Sequence, residues 1–421
     1  MRPVPILRPL AADLLTFLLE LSRTGGAVIR YGGATEPSYL INDPAAVKHV
    51  LVDNAANYTK ETALNRMFKN AVGDGILTSE GAVWSAQRSI LGAQLSRHQV
   101  AAASDSILAA TARLLTRWEA ASATATPVDV SREMSTLTLD IVLRTLFGAT
   151  MDEDLRPVAE AIAGAADLLA TPGDSRFVAT RRLIDAFAGR VVERARGGGS
   201  TVLDALAETA DAADERSSEQ ILRDHVVTLI LAGSETTANT LTWTWYLLAL
   251  HPDVGAALVR ELREVLRGES PSIERLARLT WTRRVFLEAL RLYPSAWILG
   301  RRALEPDVVA GHELPGNAVL ALSPYTMHRR PELWDRPEEF LPDRFRGSAD
   351  DRPPFAFMPF GGGPRRCVGH NLATIEGPLV VAAVAQSFSL RLAVTPPVEP
   401  EALFVLRPRG GMPMVVRRAS A

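Results

Sequence analysis

The residues with the clearest chemical potential surround the single cysteine of the chain. Cys367 lies in the segment Phe360-Gly-Gly-Gly-Pro-Arg-Arg-Cys-Val-Gly369, and an apolar, helix-like stretch begins at His370. A thiolate that binds a metal is stabilised by backbone N–H groups, and glycines let those groups approach closely. The first turn of the following helix would add free N–H groups and a positive dipole end. The segment therefore indicates a thiolate metal ligand, and the alternative is a buried, inert cysteine in a turn.

An acid followed by two threonines interrupts the longest apolar pattern of the chain. The segment Leu231-Ala-Gly-Ser-Glu-Thr-Thr-Ala238 lies inside a helix that the periodicity predicts from about Glu219 to Leu250. A threonine hydroxyl that bonds a preceding carbonyl opens or bends a helix, which leaves a groove for a small ligand and a few waters. The carboxylate of Glu235 could relay protons there. The alternative is close helix packing through Ala232 and Gly233, with Glu235 on a solvated face.

Two further pairs of side chains have spacings that place them on one helix face. Glu288 and Arg291 lie three residues apart among mostly apolar neighbours, which indicates a buried pair rather than a weak surface pair. Downstream, Arg344 offers a second guanidinium. Trp84 and Arg88 lie four residues apart and could hold a ligand carboxylate through an indole N–H and a guanidinium. A partly buried tryptophan beside a surface arginine has the same spacing.

Together these segments resemble the motifs of the cytochrome P450 family, in the same order along the chain. The cysteine segment is similar to the signature Phe-x-x-Gly-x-Arg-x-Cys-x-Gly, with matches at Phe360, Gly363, Arg365, Cys367 and Gly369. The other segments resemble Trp-x-x-x-Arg, Gly-x-Glu/Asp-Thr, Glu-x-x-Arg and Pro-x-Arg-Phe, the last at Pro342, Arg344 and Phe345. The cysteine motif is specific and each of the others is moderate, so their joint order carries the resemblance.

The resemblance implies haem b as cofactor, with Cys367 as the axial ligand of its iron. It implies cofactor contacts at Trp84, Arg88, Ala232, Gly233, Arg301, Phe360, Gly361, Arg365, Cys367 and Gly369. Thr236 and Glu235 would be the catalytic, proton-steering residues, while Glu288, Arg291 and Arg344 would form a charge network that holds the cysteine loop. Arg302 competes with Arg301 for the propionate role, and the Arg-x-Ala spacing to Ala303 favours Arg301. Trp297, Ile298 and Leu299 would line the substrate pocket.

The activity implied by the resemblance is monooxygenation. One atom of O₂ would be inserted into an apolar small molecule such as a terpenoid, polyketide, fatty acid or steroid. The reaction itself would take place on the cofactor, which the protein positions. The electrons would come from a separate ferredoxin and its reductase. Two alternatives remain: a haem-thiolate enzyme that uses peroxide or needs no redox partner, and a haem-binding sensor that never turns over.

The composition of the chain disfavours some classes of binding partner and some locations. The formal net charge is −2, from 46 Lys and Arg against 48 Asp and Glu, and no basic arm is present, which disfavours nucleic acid. A single cysteine forms no internal disulfide, so the cytoplasm is the expected location. The apolar run from Leu14 to Leu21 is far shorter than the roughly 20 residues that a membrane anchor needs. We expect a monomer.

The pattern of elements predicts a mainly α fold with a smaller β-sheet region, an α+β class. A helix from about Asp13, a small hairpin from Ala27–Tyr31 to Ser38–Ile41 and a helical body from about 45 to 294 are expected. Mixed strands and loops follow from 295 to 421, with a last helix over about Val368–Ser387. A capping box at Ser217 and Gln220 would begin the long helix. The resemblance implies one domain over 1–421, a triangular helical prism with haem between the long helix and the last one.

Overall fold

The computed structural model describes residues 14–33, 36–151, 155–168, 175–197, 201–207, 218–347 and 352–419. The chain forms two compact units, each assembled from two separate stretches of sequence. Unit 1 comprises Met1–Met67 and Leu290–Cys367, and unit 2 comprises Phe68–Ala289 and Val368–Ala421. The organisation as a single domain stays a prediction. The predicted helix cap at Ser217 lies outside the described residues.

Helices dominate the described part of the chain. In order, they are α1 (Leu14–Arg23), α2 (Pro44–Lys48), α3 (Ala63–Val72), α4 (Gly81–Gln94), α5 (Arg97–Ala102), α6 (Ser104–Thr124), α7 (Val130–Phe147), α8 (Arg156–Leu168), α9 (Ser175–Gly197), α10 (Thr201–Ala207), α11 (Ser218–Leu250), α12 (Pro252–Leu266), α13 (Ile273–Leu276), α14 (Thr280–Leu292), α15 (Pro324–Met327) and α16 (His370–Ser387). Within the described ranges, none of these helices is long and apolar enough to cross a membrane.

Strands are short and concentrate towards the C-terminal part of the chain. They are β1 (Val28–Arg30), β2 (Ser38–Ile41), β3 (Tyr58–Thr59), β4 (Val128–Asp129), β5 (Leu299–Ala303), β6 (Asp307–Val309), β7 (His312–Leu314), β8 (Val319–Leu322), β9 (Phe388–Leu392), β10 (Pro400–Ala402), β11 (Leu406–Pro408) and β12 (Pro413–Arg418). The mainly α fold with a small β region is therefore confirmed. The first helix, the N-terminal hairpin, the long helix and the last helix lie within one or two residues of their predicted bounds.

Unit 1 is built around a five-stranded sheet with the strand order β1-β2-β8-β5-β3. β2 and β8 pair in parallel, and the other neighbours pair antiparallel. Asp43 ends the turn after β2 by accepting hydrogen bonds from the N–H groups of Ala45 and Ala46, while Pro44 fills the first position of α2. The sheet and α2 share one apolar core that includes Val47, Leu51 and Met358.

The segment after α2 forms a π-helical turn, His49–Asp53, directly beneath the cysteine segment. Gly363 has a φ of +65°, and a Cβ at this position would overlap the carbonyl oxygen of Leu51. Leu51 itself is buried in the core of unit 1. Only glycine allows the two backbones to approach this closely, because any side chain would meet a carbonyl that the core holds in place.

Unit 2 is a helical assembly in which α11 packs closely against α7. A Cβ on Gly233 would lie 2.9 Å from Cγ2 of Val142, so the missing side chain lets the two helices approach. α7 begins where Asp129 accepts a hydrogen bond from the N–H of Ser131, and it ends at Gly148, whose φ is +58°. The close packing through Gly233 that the sequence offered as an alternative is thus present.

Replacing Gly363 with alanine tests the contact between the π-helical turn and the cysteine segment. We expect the free energy of unfolding to fall by about 2 kcal/mol or more, because a positive φ disfavours a Cβ and the buried Leu51 carbonyl cannot yield. Chemical denaturation measures the difference.

Gly189→Ala in α9 is the matched control. Nothing lies within 4 Å of the added Cβ there, so the higher helix propensity of alanine should stabilise the protein slightly. Equal unfolding free energies for wild-type protein and Gly363→Ala would contradict the close approach.

Candidate functional site

The cysteine segment forms an exposed, internally hydrogen-bonded loop in unit 1. Cys367 is exposed, and its N–H donates to the carbonyl of Phe360 at 2.9 Å. The N–H of Gly361 donates to the carbonyl of Met358 at 3.0 Å, and the φ of Gly361 is +64°. The alternative of a buried cysteine is therefore wrong. An exposed thiol is accessible to a metal.

A buried arginine and a buried histidine hold the start of this loop. Arg291 is fully buried, and its guanidinium donates to the carbonyl of His328 at 2.8 Å. In return, Nδ1 of His328 lies 3.1 Å from the carbonyl oxygen of Arg291. The N–H of Met358 donates to Nε2 of the same ring at 2.9 Å, so Nδ1 carries the proton. Burial and the adjacent Arg291 charge hold the pKa of His328 well below its usual value, which keeps the ring neutral.

The two arginines of the expected charge network converge on one backbone segment. Arg291 donates to the carbonyls of Pro337 at 2.6 Å and Glu339 at 3.0 Å. Arg344 donates to the carbonyls of Asp335 and Arg336 and lies 3.5 Å from the carbonyl of Glu339. The expected burial of Glu288 and Arg291 is confirmed, since both are 0% exposed. Their mutual ion pair stays a prediction.

Arg301 and Arg302 are neighbours on β5 and have different surroundings. Arg302 donates to the carbonyls of Glu61 at 2.8 Å and Asn317 at 3.2 Å, and it pairs with the carboxylate of Glu36 at 2.8 Å. Arg301 points to the opposite face of β5 and is 7% exposed. Arg301 itself donates to the carbonyl of Gly300 at 2.8 Å, and its role as the propionate ligand stays a prediction.

The residues expected to line a substrate pocket lie at the start of β5 in unit 1. Trp297 is 4% exposed, and its carbonyl accepts a hydrogen bond from Ser323 at 2.8 Å. Ile298 and Leu299 are half-buried. Cδ1 of Leu299 lies 3.4 Å from the position of a Cβ on Gly361. The structure therefore places Leu299 next to the cysteine loop, while the role of these residues in binding stays a prediction.

Unit 2 carries the acid and threonine segment in the middle of α11. From Asp224 to Leu247, the described side chains of this helix are buried except at Ala232, Gly233 and Thr236, which are partly exposed. The hydroxyl of Thr236 donates to the carbonyl of Ala232 at 2.9 Å, as the sequence predicted. These three residues form a strip of small side chains with one hydroxyl, which suits the approach of a flat ligand and a small molecule.

Glu235 faces the opposite way, into the protein. It is 4% exposed, so the alternative of a solvated glutamate is wrong. Its carboxylate accepts hydrogen bonds from the hydroxyl of Ser135 at 3.2 Å and from Nδ2 of Asn239 at 3.4 Å. Burial raises the pKa of Glu235 to about 7, against the opposing effects of Ser135, the Arg407 charge and Asn239. A carboxyl with this pKa exchanges protons at neutral pH.

Trp84 and Arg88 lie one turn apart on α4 in unit 2, and both are half-buried. Their side chains share a helix face, as expected from the spacing. Arg365 lies in a 3₁₀ turn, Gly363–Arg365, two residues before Cys367. Gly369 lies at the N-cap of α16, and Arg301 lies at the centre of β5.

The sequence analysis missed three buried polar residues. His328 links Arg291 to the cysteine loop, and Ser135 binds Glu235 from α7. Glu376 in α16 is 0% exposed, and neither of its carboxylate oxygens has a hydrogen-bond partner among the described residues. Burial raises the pKa of Glu376 well above its usual value, which favours the neutral form. The sequence offers one signal for such residues, which is a polar or charged residue within an otherwise apolar segment.

The donor types present fit an iron porphyrin. Such a group offers an axial position to a soft or imidazole ligand and carries two carboxylates. Cys367 supplies an exposed thiol, and Trp84, Arg88, Arg301 and Arg365 supply N–H donors suited to carboxylates.

Comparisons with known proteins agree with an iron porphyrin site. A family model described as Cytochrome P450 matches residues 8–173 and 192–415. The chain is 35% identical to a protein named cyclooctatin synthase from Streptomyces melanosporofaciens, over 91% of this chain and 86% of that protein. It is 32% identical to cyclooctat-9-en-7-ol 5-monooxygenase of the same organism, over 90% and 85% of the two chains.

A plant protein is also similar. Carotene epsilon-monooxygenase, chloroplastic, from Arabidopsis thaliana is 28% identical over 87% of this chain and 75% of its own length. The match to the family model extends through nearly the whole chain and includes the cysteine loop, the long helix and the buried Glu-x-x-Arg pair. The chain therefore belongs to the cytochrome P450 family, and it is an oxygen-incorporating oxidoreductase with a haem-iron cofactor.

Proposed function

We propose that this protein is a haem-thiolate monooxygenase that inserts one oxygen atom from O₂ into an apolar terpenoid, with Cys367 as the iron ligand. The observation that carries the proposal is the exposed thiol of Cys367 on a loop held by Arg291 and His328. Haem b, the proposed form of the cofactor, supplies the activation of O₂. The protein supplies the ligand, the anchors and the protons.

Different residues of the chain bind the cofactor, shape the loop and hold it in place. The two propionates bind side chains that offer N–H donors, namely Trp84, Arg88, Arg301 and Arg365. Phe360, Gly361 and Gly369 shape the loop around the thiolate. Ala232 and Gly233 leave room beside the ring, and Glu288, Arg291 and Arg344 keep the loop in place.

Glu235 and Thr236 act as the proton-delivering pair. The hydroxyl of Thr236 is fixed by the carbonyl of Ala232 on the partly exposed side of α11. Glu235 lies on the buried side, where a pKa of about 7 lets it both release and regain a proton near neutral pH. Retention of this pair supports the use of O₂ and external electrons over the alternatives of peroxide use or ligand sensing.

The substrate class rests on the relatives. One relative's name denotes a cyclic alkene alcohol and another's denotes carotene, both of which are apolar carbon skeletons. An apolar pocket wall at Trp297, Ile298 and Leu299 would suit such a skeleton. We propose a terpenoid hydrocarbon or alcohol as the substrate.

Electrons come from a ferredoxin and its reductase in this proposal. Arg366 is exposed next to the ligand cysteine and offers a positive contact to an acidic partner. The protein acts in the cytoplasm as a monomer, where a lone thiol stays reduced.

Cys367→Ala should abolish the red-shifted Soret band of the reduced carbonyl complex, because the thiolate is removed from the iron. Absorption spectra of the reduced, carbonylated protein measure this. Cys367→His is the comparison, since it keeps a ligand but makes it a neutral nitrogen. Persistence of the red-shifted band in Cys367→Ala would refute the assignment of the ligand.

The coupling of electron consumption to product formation should fall as the pH rises through about 7, because Glu235 must be protonated to deliver a proton. Glu235→Gln should remove this pH dependence and lower turnover by roughly 100-fold. Ser135→Ala should shift the midpoint to higher pH, since the Ser135 hydrogen bond lowers the pKa of Glu235. Product formed per NAD(P)H consumed, measured across pH, gives the profile.

Two matched controls accompany this profile. Glu219→Gln changes an exposed carboxylate on the same helix, and Thr138→Val removes a buried hydroxyl of α7 that bonds only to carbonyls of its own helix in the described contacts. Both should keep the wild-type midpoint. An unchanged midpoint in Glu235→Gln would exclude Glu235 as the titrating group.

Turnover with NAD(P)H, ferredoxin and reductase should exceed turnover with hydrogen peroxide on the same terpenoid. The physical reason is that the acid and threonine pair serves proton delivery during the reduction of O₂. Product yields from the two assays decide the matter. Higher peroxide-driven yields would favour the peroxide-using alternative, and a substrate-free spin state under all terpenoids tested would favour a sensor.

A further inference from the structure

Asp307 is a partly buried carboxylate that organises unit 1 at a distance in sequence from the cysteine loop. Oδ2 of Asp307 accepts hydrogen bonds from Nδ2 of Asn54 at 2.9 Å and from the hydroxyl of Tyr58 at 2.5 Å. Nε2 of His49 lies 2.9 Å from the same oxygen. The N–H of Val308 donates to Oδ1 at 2.8 Å. With its side chain 13% exposed, Asp307 is the meeting point of four donors.

The electrostatics agree with this geometry. Burial raises the pKa of Asp307, but the hydrogen bonds from Tyr58, His49 and Asn54 outweigh it and lower the pKa to about 2. In turn, burial and the Asp307 carboxylate raise the pKa of Tyr58. The carboxylate is therefore charged at neutral pH, and charged hydrogen bonds are stronger than neutral ones.

Three of these donors bracket a single unusual segment. His49 begins the π-helical turn His49–Asp53, Asn54 follows it, and Tyr58 begins β3. π-helical turns are rare and occur mostly as single-turn interruptions of α-helices, so we expect this one to be held by contacts from elsewhere. Asp307 provides these contacts by joining both ends of the turn to the first residue of β6. The carboxylate therefore fixes the shape of residues 49–58.

This segment packs directly against the cysteine loop. The carbonyl of Leu51, at the centre of the turn, lies against Gly363 with no room for a Cβ. Gly363 begins the 3₁₀ turn that leads to Arg365, and the N–H of Cys367 closes the loop by donating to the carbonyl of Phe360 at 2.9 Å. A displacement of the Leu51 carbonyl would therefore reach the cysteine within four residues of chain.

We propose that Asp307 is a positioning residue for the thiolate ligand: it fixes the π-helical turn beneath Gly363, and so fixes the placement of Cys367. This rests on the proposed function, in which Cys367 binds the haem iron. A role limited to capping the β6–β7 hairpin would need only the bond to Val308. The three bonds to residues 49–58 go beyond that role.

Asp307→Asn in the haem-loaded protein tests the proposal with two readouts that do not depend on activity. Backbone amides of 49–53 and of 363–367 should exchange with deuterium about tenfold faster or more, since the charged acceptor is lost. The reduced carbonyl complex should lose part of its red-shifted Soret band in favour of the band of a neutral ligand. Hydrogen-exchange mass spectrometry and absorption spectra, well below the unfolding temperature, give both.

A milder variant and a control complete the experiment. Tyr58→Phe removes one donor and should shift both readouts in the same direction by less, and it carries the test if Asp307→Asn does not fold. Glu313→Gln, an exposed carboxylate on β7 of the same hairpin, should leave both unchanged.

Faster exchange at 49–58 with unchanged exchange at 363–367 and an unchanged spectrum would overturn the proposal, as would no change in either readout or a lower melting temperature alone. A red-shifted band that survives Cys367→Ala is a different result, because it contradicts the proposed function and not the link from Asp307 to the loop.

Discussion

The interaction on which unit 1 depends is the solvation of a fully buried guanidinium by backbone carbonyls. Arg291 stays charged at any physiological pH, so its burial requires hydrogen-bond acceptors in the interior. Those acceptors come from His328, Pro337 and Glu339, all in chain that would otherwise be irregular loop. The need to solvate one charge thus folds the 328–339 segment around α14. His328 then extends the same network to Met358 and the cysteine loop.

Buried acids in unit 2 follow the opposite rule, because a carboxyl can become neutral where a guanidinium cannot. Glu235 has only a serine hydroxyl and an amide as hydrogen-bond partners, and burial raises its pKa to about 7. Asp307 in unit 1 is only partly buried, and with several donors on its carboxylate its pKa falls to about 2. The degree of burial and the number of hydrogen-bond donors together therefore separate a carboxyl that can pass protons from one that only holds structure.

Sequence alone gave the elements and the chemical residues, because both depend on local patterns. The motif spacings located Cys367, Glu235 and Arg291, and the periodicity located α11 within a residue of its bounds. Three residues were not predicted from the sequence, because their partners lie far away along the chain. The separations are 30 residues for His328, 100 for Ser135 and more than 240 for Asp307. No local pattern encodes such contacts. The direction in which Glu235 points was equally open, because a motif specifies the residue and not the helix face that packing will cover.

The cysteine loop combines two positive-φ glycines with two separate supports. Gly361 and Gly363 adopt conformations that favour glycine, so local preference alone does not hold the loop in one shape. Met358 is fixed through His328 on one side, and Gly363 rests on the Leu51 carbonyl on the other. The two supports act at different points of the same backbone, at Met358 and at Gly363. Because both supports act on one backbone, their energetic effects are coupled, and loss of either would lower the value of the other.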